Sequence, residues 1–198
     1  MTEFPTVRVA AAQATPVVLD AEATVDKALR LMGDAAAEGA QLVVLPECFI
    51  SLYPTGAWAA AAAGFGGFDM LWQRMWDSSV DVTGPLVGKL AAGCAEHSIH
   101  LAVSVPQHLP RSAFPADFPA AIPDDVDVLG RGGDAIVDPL GTVIAGPLYD
   151  AEGLVIADCD LRRGLAAKRW FDAVGHYGRA DALEPQHATS ATSAEPDS

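Results

Sequence analysis

The stretch Gln41–Pro54, QLVVLPECFISLYP, is the part of the sequence that decides the fold. It opens with a short apolar run, Leu42–Leu45, of the kind that forms a buried strand. Pro46 lacks the N–H group that a strand ladder needs, so the strand is predicted to end there. Glu47 follows at once and is expected at the rim of a sheet, where catalytic groups are common. An isolated glutamate in such a place is more often an ordinary surface residue, so the flanking sequence must decide.

The sequence before this stretch predicts a layered α/β arrangement. Val7–Gln13, VRVAAAQ, alternates in the manner of a strand. A helix is predicted after it, because apolar residues recur at helical spacing between an N-cap at Asp20 and a C-terminal glycine at Gly39. Strand, helix and strand in this order are the usual opening of an α/β fold.

The second half of the sequence predicts further short elements around a proline-rich connection. This connection spans residues 107–130 and is longer than is usual inside a compact domain. The predicted elements are a helix from Gly84 to His97, strands at Ile99–Val105, Asp134–Asp138, Val143–Ala145 and Leu154–Asp160, a turn at Asp138–Gly141, and a helix at Leu161–Asp172. Residues 1–183 are expected to form one domain, and the Ala-, Thr- and Ser-rich residues 184–198 a disordered tail.

The composition restricts the partners and the compartment. With 198 residues, 51% of them hydrophobic, the chain can form one globular domain. Its net charge of −14 argues against nucleic acid and anionic membrane surfaces, which bind basic proteins. The run Trp58–Phe68 is too short to span a membrane, and Met1–Thr6 is too polar for a secretory leader. The three cysteines have no metal-ligand spacing. The sequence therefore predicts a cytoplasmic protein without metal or cofactor.

Six blocks of sequence together cover most of residues 7–180. They are VRVAAAQATPVVLDAEATVDKAL, AAAEGAQLVVLPE, FISLYP, FPADFPAAIPDD, RGGDAIVDPLGTVIAGPLYDAEGLVIADCDL and FDAVGHYGR. In combination they resemble the nitrilase branch of the carbon–nitrogen hydrolase family. The resemblance implies a four-layer α-β-β-α sandwich that pairs into dimers and longer spirals. It also implies a Glu–Lys–Cys triad that converts a nitrile into a carboxylic acid and ammonia. In that triad the thiolate attacks the nitrile carbon, the glutamate moves protons and the lysine stabilises the intermediate.

Only one member of the triad carries over to this sequence. Glu47 matches the family's catalytic glutamate. The family's lysine lies in a segment like K-x-x-P-T and its cysteine in a segment like C-W-E, and neither string occurs here. Lys27 and Lys89 fall in predicted surface helices, and Lys168 falls in the C-terminal helix. The two halves of the resemblance meet near residues 101–107, within the stretch HLAVSVPQ. The chain is therefore expected to be an internally truncated sandwich without the segment that carries the nucleophile.

Cys48 is the nearest candidate for a replacement nucleophile. Adjacent side chains of an extended chain point in opposite directions, so Cys48 is expected to face away from Glu47 as a buried structural thiol. Cys94 lies on the apolar stripe of its predicted helix and is expected in the core. Cys159 lies in a predicted strand, with no basic neighbour in sequence to favour its thiolate.

The remaining candidates are aromatic residues and histidines. Tyr53 and Trp58 are predicted substrate-binding residues, with a place in the core as the alternative. His176 matches a family motif and is expected to have a structural or interface role. The other histidines are predicted to be surface residues, and they are His97, His100, His108 and His187.

Three hypotheses about function remain. The first is a nitrilase-type hydrolase by descent, with a nitrile or amide substrate, that is inactive without its nucleophile. Loss of the nucleophile from a comparable triad lowers kcat by about 10⁶. The second is a non-catalytic protein that forms homo-oligomers or assembles with an intact relative and modulates it. The third is the product of a mistaken gene model or a pseudogene, which would aggregate through exposed strand edges.

Overall fold

The computed structural model describes residues 4–52, 68–103, 108–117 and 125–168. The strands are β1 (Thr6–Gln13), β2 (Leu42–Leu45), β3 (His100–Val103), β4 (His108–Pro110), β5 (Val128–Val137), β6 (Val143–Tyr149) and β7 (Gly153–Asp160). The helices are α1 (Ala21–Ala37), α2 (Phe68–Asp77), α3 (Pro85–His97) and α4 (Arg162–Lys168), with a 3₁₀ turn at Arg111–Ala113.

The first sheet has the strand order β3-β2-β1-β7. Strands β1, β2 and β3 are parallel, and Val9 of β1 lies beside Leu42 of β2. Strand β7 is antiparallel to β1 along its whole length, from the Thr6–Asp160 pair to the Gln13–Gly153 pair. The three parallel strands therefore end at one common edge of the sheet, which is called the carboxyl edge below.

The predicted strand–helix–strand opening is confirmed. The Asp20 carboxylate accepts a hydrogen bond from the Ala23 N–H at 2.9 Å and caps α1. Gly39 follows the helix with a φ of +80°, which glycine adopts without strain. Helix α3 approaches α1 closely at Gly93, where an added Cβ would lie 2.4 Å from the Leu29 Cδ2 atom. Both helices contribute to the core over the first sheet.

The second sheet is antiparallel and has the order β4-β5-β6. The predicted turn joins β5 to β6, and the Asp138 carboxylate accepts hydrogen bonds there from the N–H groups of Leu140 and Thr142. Strand β5 begins six residues earlier than predicted, at Val128 rather than Asp134. It is longer because it pairs with β4, a three-residue strand that lies within the proline-rich connection.

Some predicted elements lie partly or wholly outside the described residues. Strand β3 ends at Val103, residues 104–107 are outside the description, and β4 begins at His108 in the other sheet. The stretch HLAVSVPQ therefore leads from one sheet to the other. The predicted helix at Leu161–Asp172 is described as far as Lys168, and the tail at 184–198 is outside the described residues.

The described elements form three layers. Helices α1 and α3 pack on the first sheet. The second sheet contacts the first through β5, which lies against β1 and β7, and through β6, which lies against β7. No helix among the described residues packs extensively against the second sheet. The α/β fold class is confirmed, and the layers are consistent with a truncated nitrilase-like sandwich. None of the described helices is long and apolar enough to cross a membrane.

Candidate functional site

Glu47 lies in the turn that follows β2 at the carboxyl edge, and its side chain is exposed. The backbone of this turn is held by hydrogen bonds from the Phe49 N–H to the Pro46 carbonyl and from the Leu52 N–H to the Cys48 carbonyl. The Phe49 and Leu52 side chains are 1% and 2% exposed and belong to two different core clusters. The turn is thus fixed at both ends, and it presents Glu47 at the rim of the sheet.

Cys48 does not have the extended backbone on which its predicted direction rested. Its φ is +49°, so it occupies the left-handed region, and the argument from alternating side chains does not apply. The residue is half-buried rather than buried. It lines a pocket between the turn and α2, together with Trp72 and Trp76, and Glu47 does not line that pocket.

The other two cysteines lie toward the opposite edge of the first sheet. Cys159 of β7 pairs with Val7 near the start of β1, which places it at least about 15 Å from Glu47 along the strands. Cys94 is in the last turn of α3, and its carbonyl accepts the Ile99 N–H just before β3 begins. Burial, with a smaller contribution from Asp158, raises the pKa of the Cys159 thiol and so disfavours its thiolate.

Lys27 was predicted to lie in a surface helix, but its side chain is largely buried and hydrogen-bonded. Its ammonium group donates hydrogen bonds to the Thr15 carbonyl at 2.8 Å and to the Glu152 Oε1 atom at 2.6 Å. Burial acts to raise the pKa of Glu152, but the hydrogen bonds from Lys27 and from the Thr15 amide outweigh it, so the pKa is lowered. Lys89 is exposed on α3, and the side chain of Lys168 is outside the described residues.

His108 is buried, and its prediction as a surface residue was wrong. It is 9% exposed, and its carbonyl accepts the Thr15 hydroxyl at 2.6 Å. Its burial follows from the pairing of β4 with β5, which the sequence pattern did not indicate. Tyr53, Trp58 and His176, for which roles were predicted, lie outside the described residues, as does His187.

The contact between Gln13 and the middle of β5 was not predicted from the sequence. Gln13 is fully buried, and its Oε1 atom accepts the N–H groups of Gly133 at 2.7 Å and Asp134 at 3.1 Å. The Asp134 side chain is also buried, and neither carboxylate oxygen has a hydrogen-bond partner among the described residues. Burial raises the pKa of Asp134 to about 6. The Gly132–Gly133 pair just before it was the only local signal.

No three His, Cys, Asp or Glu side chains are grouped as a metal site within the part of the chain that the structure describes. At the carboxyl edge, the described residues include the exposed Glu47 carboxylate and, separately, the ion pair between Lys27 and Glu152.

Comparison with known proteins identifies the family. A family profile described as carbon-nitrogen hydrolase matches residues 8–113, which is more than half of the chain. The chain belongs to the carbon–nitrogen hydrolase family. The resemblance inferred from the sequence is confirmed.

Several relatives of this chain are nitrilases. A nitrilase of Bradyrhizobium diazoefficiens is 46% identical over 95 residues, which are 44% of this chain and 30% of that protein. An aliphatic nitrilase of Sinorhizobium fredii is 29% identical over 296 positions, covering 93% of this chain and 95% of the relative. A bifunctional nitrilase/nitrile hydratase of Nicotiana tabacum is 25% identical over 309 positions, covering 96% and 89%.

Among solved structures, this chain matches a double mutant of the amidase from Nesterenkonia sp. AN1 in complex with acrylamide. The sequence identity is 15% and the TM-score is 0.40, and the match covers 85% of this chain and 97% of that chain. A variant of the same amidase, described as a member of the nitrilase superfamily, also matches with a TM-score of 0.40.

Proposed function

We propose that this chain is a nitrilase-type hydrolase by descent that does not hydrolyse nitriles or amides itself. Glu47 keeps the position of the family's catalytic glutamate at the carboxyl edge. The observation that carries the proposal is the placement of the three cysteines. Cys94 and Cys159 lie toward the opposite edge of the sheet, and Cys48 lines a pocket in which Glu47 takes no part. The chain has no other cysteine to act as the nucleophile.

The missing residues are attributed to an internal shortening of the chain. The alignment with the Nicotiana tabacum relative has 309 positions, and the chain has 198 residues, so at least 111 positions have no counterpart here. Most of both proteins is nevertheless covered, which favours a gap inside the alignment. The passage from β3 in one sheet to β4 in the other uses only residues 104–107, and this is where the two halves of the family resemblance meet.

The chemistry that remains is weak. A general base such as Glu47 increases a reaction rate by a factor of about 10²–10⁴, whereas loss of the nucleophile lowers kcat by a factor of about 10⁶. Catalytic thiolates are found in electropositive surroundings, and none of the described residues that line the pocket around Cys48 is cationic. The net expectation is a hydrolysis rate below the detection limit of ordinary assays.

The test is ammonia release from a panel of aliphatic and aromatic nitriles and amides. The purified chain is assayed beside its Glu47→Gln and Cys48→Ala variants, and the Bradyrhizobium diazoefficiens nitrilase serves as the active reference. Circular dichroism establishes that each preparation unfolds cooperatively. No release from any of the three forms of the chain is expected. Release that disappears with Cys48→Ala would overturn the proposal and make Cys48 the nucleophile.

A second candidate function is that of a non-catalytic subunit. It is favoured by an exposed apolar patch on the β5–β6 hairpin, where Val137 and Val143 lie opposite each other and are 53% and 50% exposed. Leu140, in the turn of the same hairpin, is 52% exposed. Clustered apolar side chains of this kind mark interaction surfaces. A second copy of the chain, or an intact nitrilase, would bury this patch.

A further inference from the structure

Helix α2 presents an aromatic stripe that the proposed function does not use. Trp72, Met75 and Trp76 are spaced three and four residues apart and so lie on one face of the helix. Met75 is 6% exposed and belongs to a core cluster, whereas Trp72 and Trp76 are 50% and 68% exposed. Met75 therefore anchors the helix, and the two indole rings extend from the core toward solvent.

The turn after β2 forms the facing wall. An open pocket of about 290 Å³, called the aromatic pocket below, is lined by Cys48, Ser51 and Leu52 of this turn, by the three residues of α2, and by Ser79 just after α2. Cys48 and Leu52 have φ values of +49° and +65°, although neither is glycine. Non-glycine residues in this region carry strain that the surrounding structure must hold, and such residues concentrate at functional sites.

The size and lining of the aromatic pocket indicate the class of ligand. Its volume is at the lower end of that of small-molecule sites, and about twice that of a cavity that holds benzene. Among the described residues, no charged side chain lines it. The two indoles lie on one wall only, so they provide a surface on which a ring can stack rather than a cage around a cation. The polar side-chain groups among the described lining residues are the Cys48 thiol and the hydroxyls of Ser51 and Ser79.

We infer that the aromatic pocket binds a neutral aromatic compound of one or two rings. The ring stacks on the Trp76 indole and packs against Leu52 and Met75, and it covers the Cys48 thiol. This binding does not involve Glu47, and it is independent of whether the chain hydrolyses nitriles.

The test is ¹⁹F NMR of 4-fluorotoluene and 1-fluoronaphthalene titrated with the full chain. Saturable broadening and a shift of the fluorine signal are expected. Trp76→Ala should weaken binding about tenfold, because it removes the stacking surface. Trp76→Phe keeps a ring and should keep most of the affinity. Met70→Ala is the matched control, since Met70 is on the same helix, is 60% exposed and does not line the pocket.

A second measurement locates the ligand. Alkylation of each cysteine by iodoacetamide is followed by mass spectrometry with and without saturating 4-fluorotoluene. The ligand should slow alkylation at Cys48 several-fold, with Cys94 and Cys159 as internal references. Equal affinity for Trp76→Ala and the parent chain, or no protection of Cys48, would overturn the inference. Tighter binding of tetramethylammonium or 4-fluorobenzoate than of the neutral probes would also contradict it.

Discussion

Lys27 and Glu152 are 125 residues apart in the sequence and form an ion pair at 2.6 Å. The Glu152 Oε1 atom also accepts the Thr15 N–H at 2.6 Å. The pair thus ties helix α1, the end of β1 and the turn between β6 and β7 to one another. This connection holds the β6–β7 hairpin against β1.

Lys27→Met removes the ion pair and should lower the free energy of unfolding by about 1 kcal/mol. The loss is no larger because the side chains of Lys27 and Glu152 are 21% and 43% exposed, so that solvent partly screens the pair. The pKa of Glu152 is lower in the folded state than its ordinary value of 4.5. The ion pair therefore stabilises the folded state fully above pH 4.5, and this stabilisation is lost as the pH falls through the pKa of the folded state. Urea unfolding at pH 7 and pH 4 measures both effects. Lys89→Met, at an exposed lysine, is the control and should change stability by less than about 0.5 kcal/mol. An equal loss in both variants would contradict the role of the pair.

Asp134→Asn should stabilise the protein at pH 8 and have little effect near pH 4. The pKa of the buried carboxyl is raised from 3.8 to about 6, so the folded state retains a proton that the unfolded state releases. Stability is therefore lost as the pH rises from 3.8 through 6, by at most about 3 kcal/mol. Urea titrations of both proteins at pH 4.5 and pH 8 give the difference. Asp127→Asn, at an exposed position, is the control. If Asp134→Asn raised the free energy of unfolding no more at pH 8 than at pH 4.5, the prediction would be contradicted.

Gly132→Ala should cost about 2–3 kcal/mol. Gly132 has a φ of +77°, and an added Cβ would lie 2.0 Å from the Gln13 Oε1 atom, so the buried amide would have to give up its hydrogen bonds. Gly88→Ala is the control, and it should change the free energy of unfolding in the opposite direction. Nothing lies within 4 Å of its added Cβ in α3, and alanine should stabilise the helix by about 0.5–1 kcal/mol. Thermal unfolding of the two variants should therefore move in opposite directions.

Val143→Asp should disrupt the assembly of the second candidate function. The substitution places a charge in the exposed apolar patch of the β5–β6 hairpin, where burial against a partner would leave it unpaired. The measurement is size-exclusion chromatography with light scattering, for the chain alone and after co-expression with the Bradyrhizobium diazoefficiens nitrilase. Val82→Asp, at an 81% exposed valine away from the hairpin, is the matched control. A monomeric parent chain that does not co-elute with the nitrilase would rule out this function.

The parts of the fold that were predicted correctly depend on local signals. Asp20 caps α1, Gly39 follows it, and the alternation of β1 is visible within a few residues. The parts that were missed depend on distant pairing. The burial of His108 follows from a strand partner about twenty residues away, and the Lys27–Glu152 pair joins opposite ends of the chain. The left-handed backbone at Cys48 is likewise a product of tertiary packing, because the residues that fix its turn belong to two core clusters.

The single buried side chain of Gln13 makes hydrogen bonds to both the second sheet and the turn that leads into β7. The amide protons of Gly133 and Asp134 are therefore shielded from exchange with deuterium for as long as the end of β1 stays in place. Opening of β5 and opening of β1 become one event with one free energy. We therefore expect the two described sheets to unfold together, in a single cooperative step.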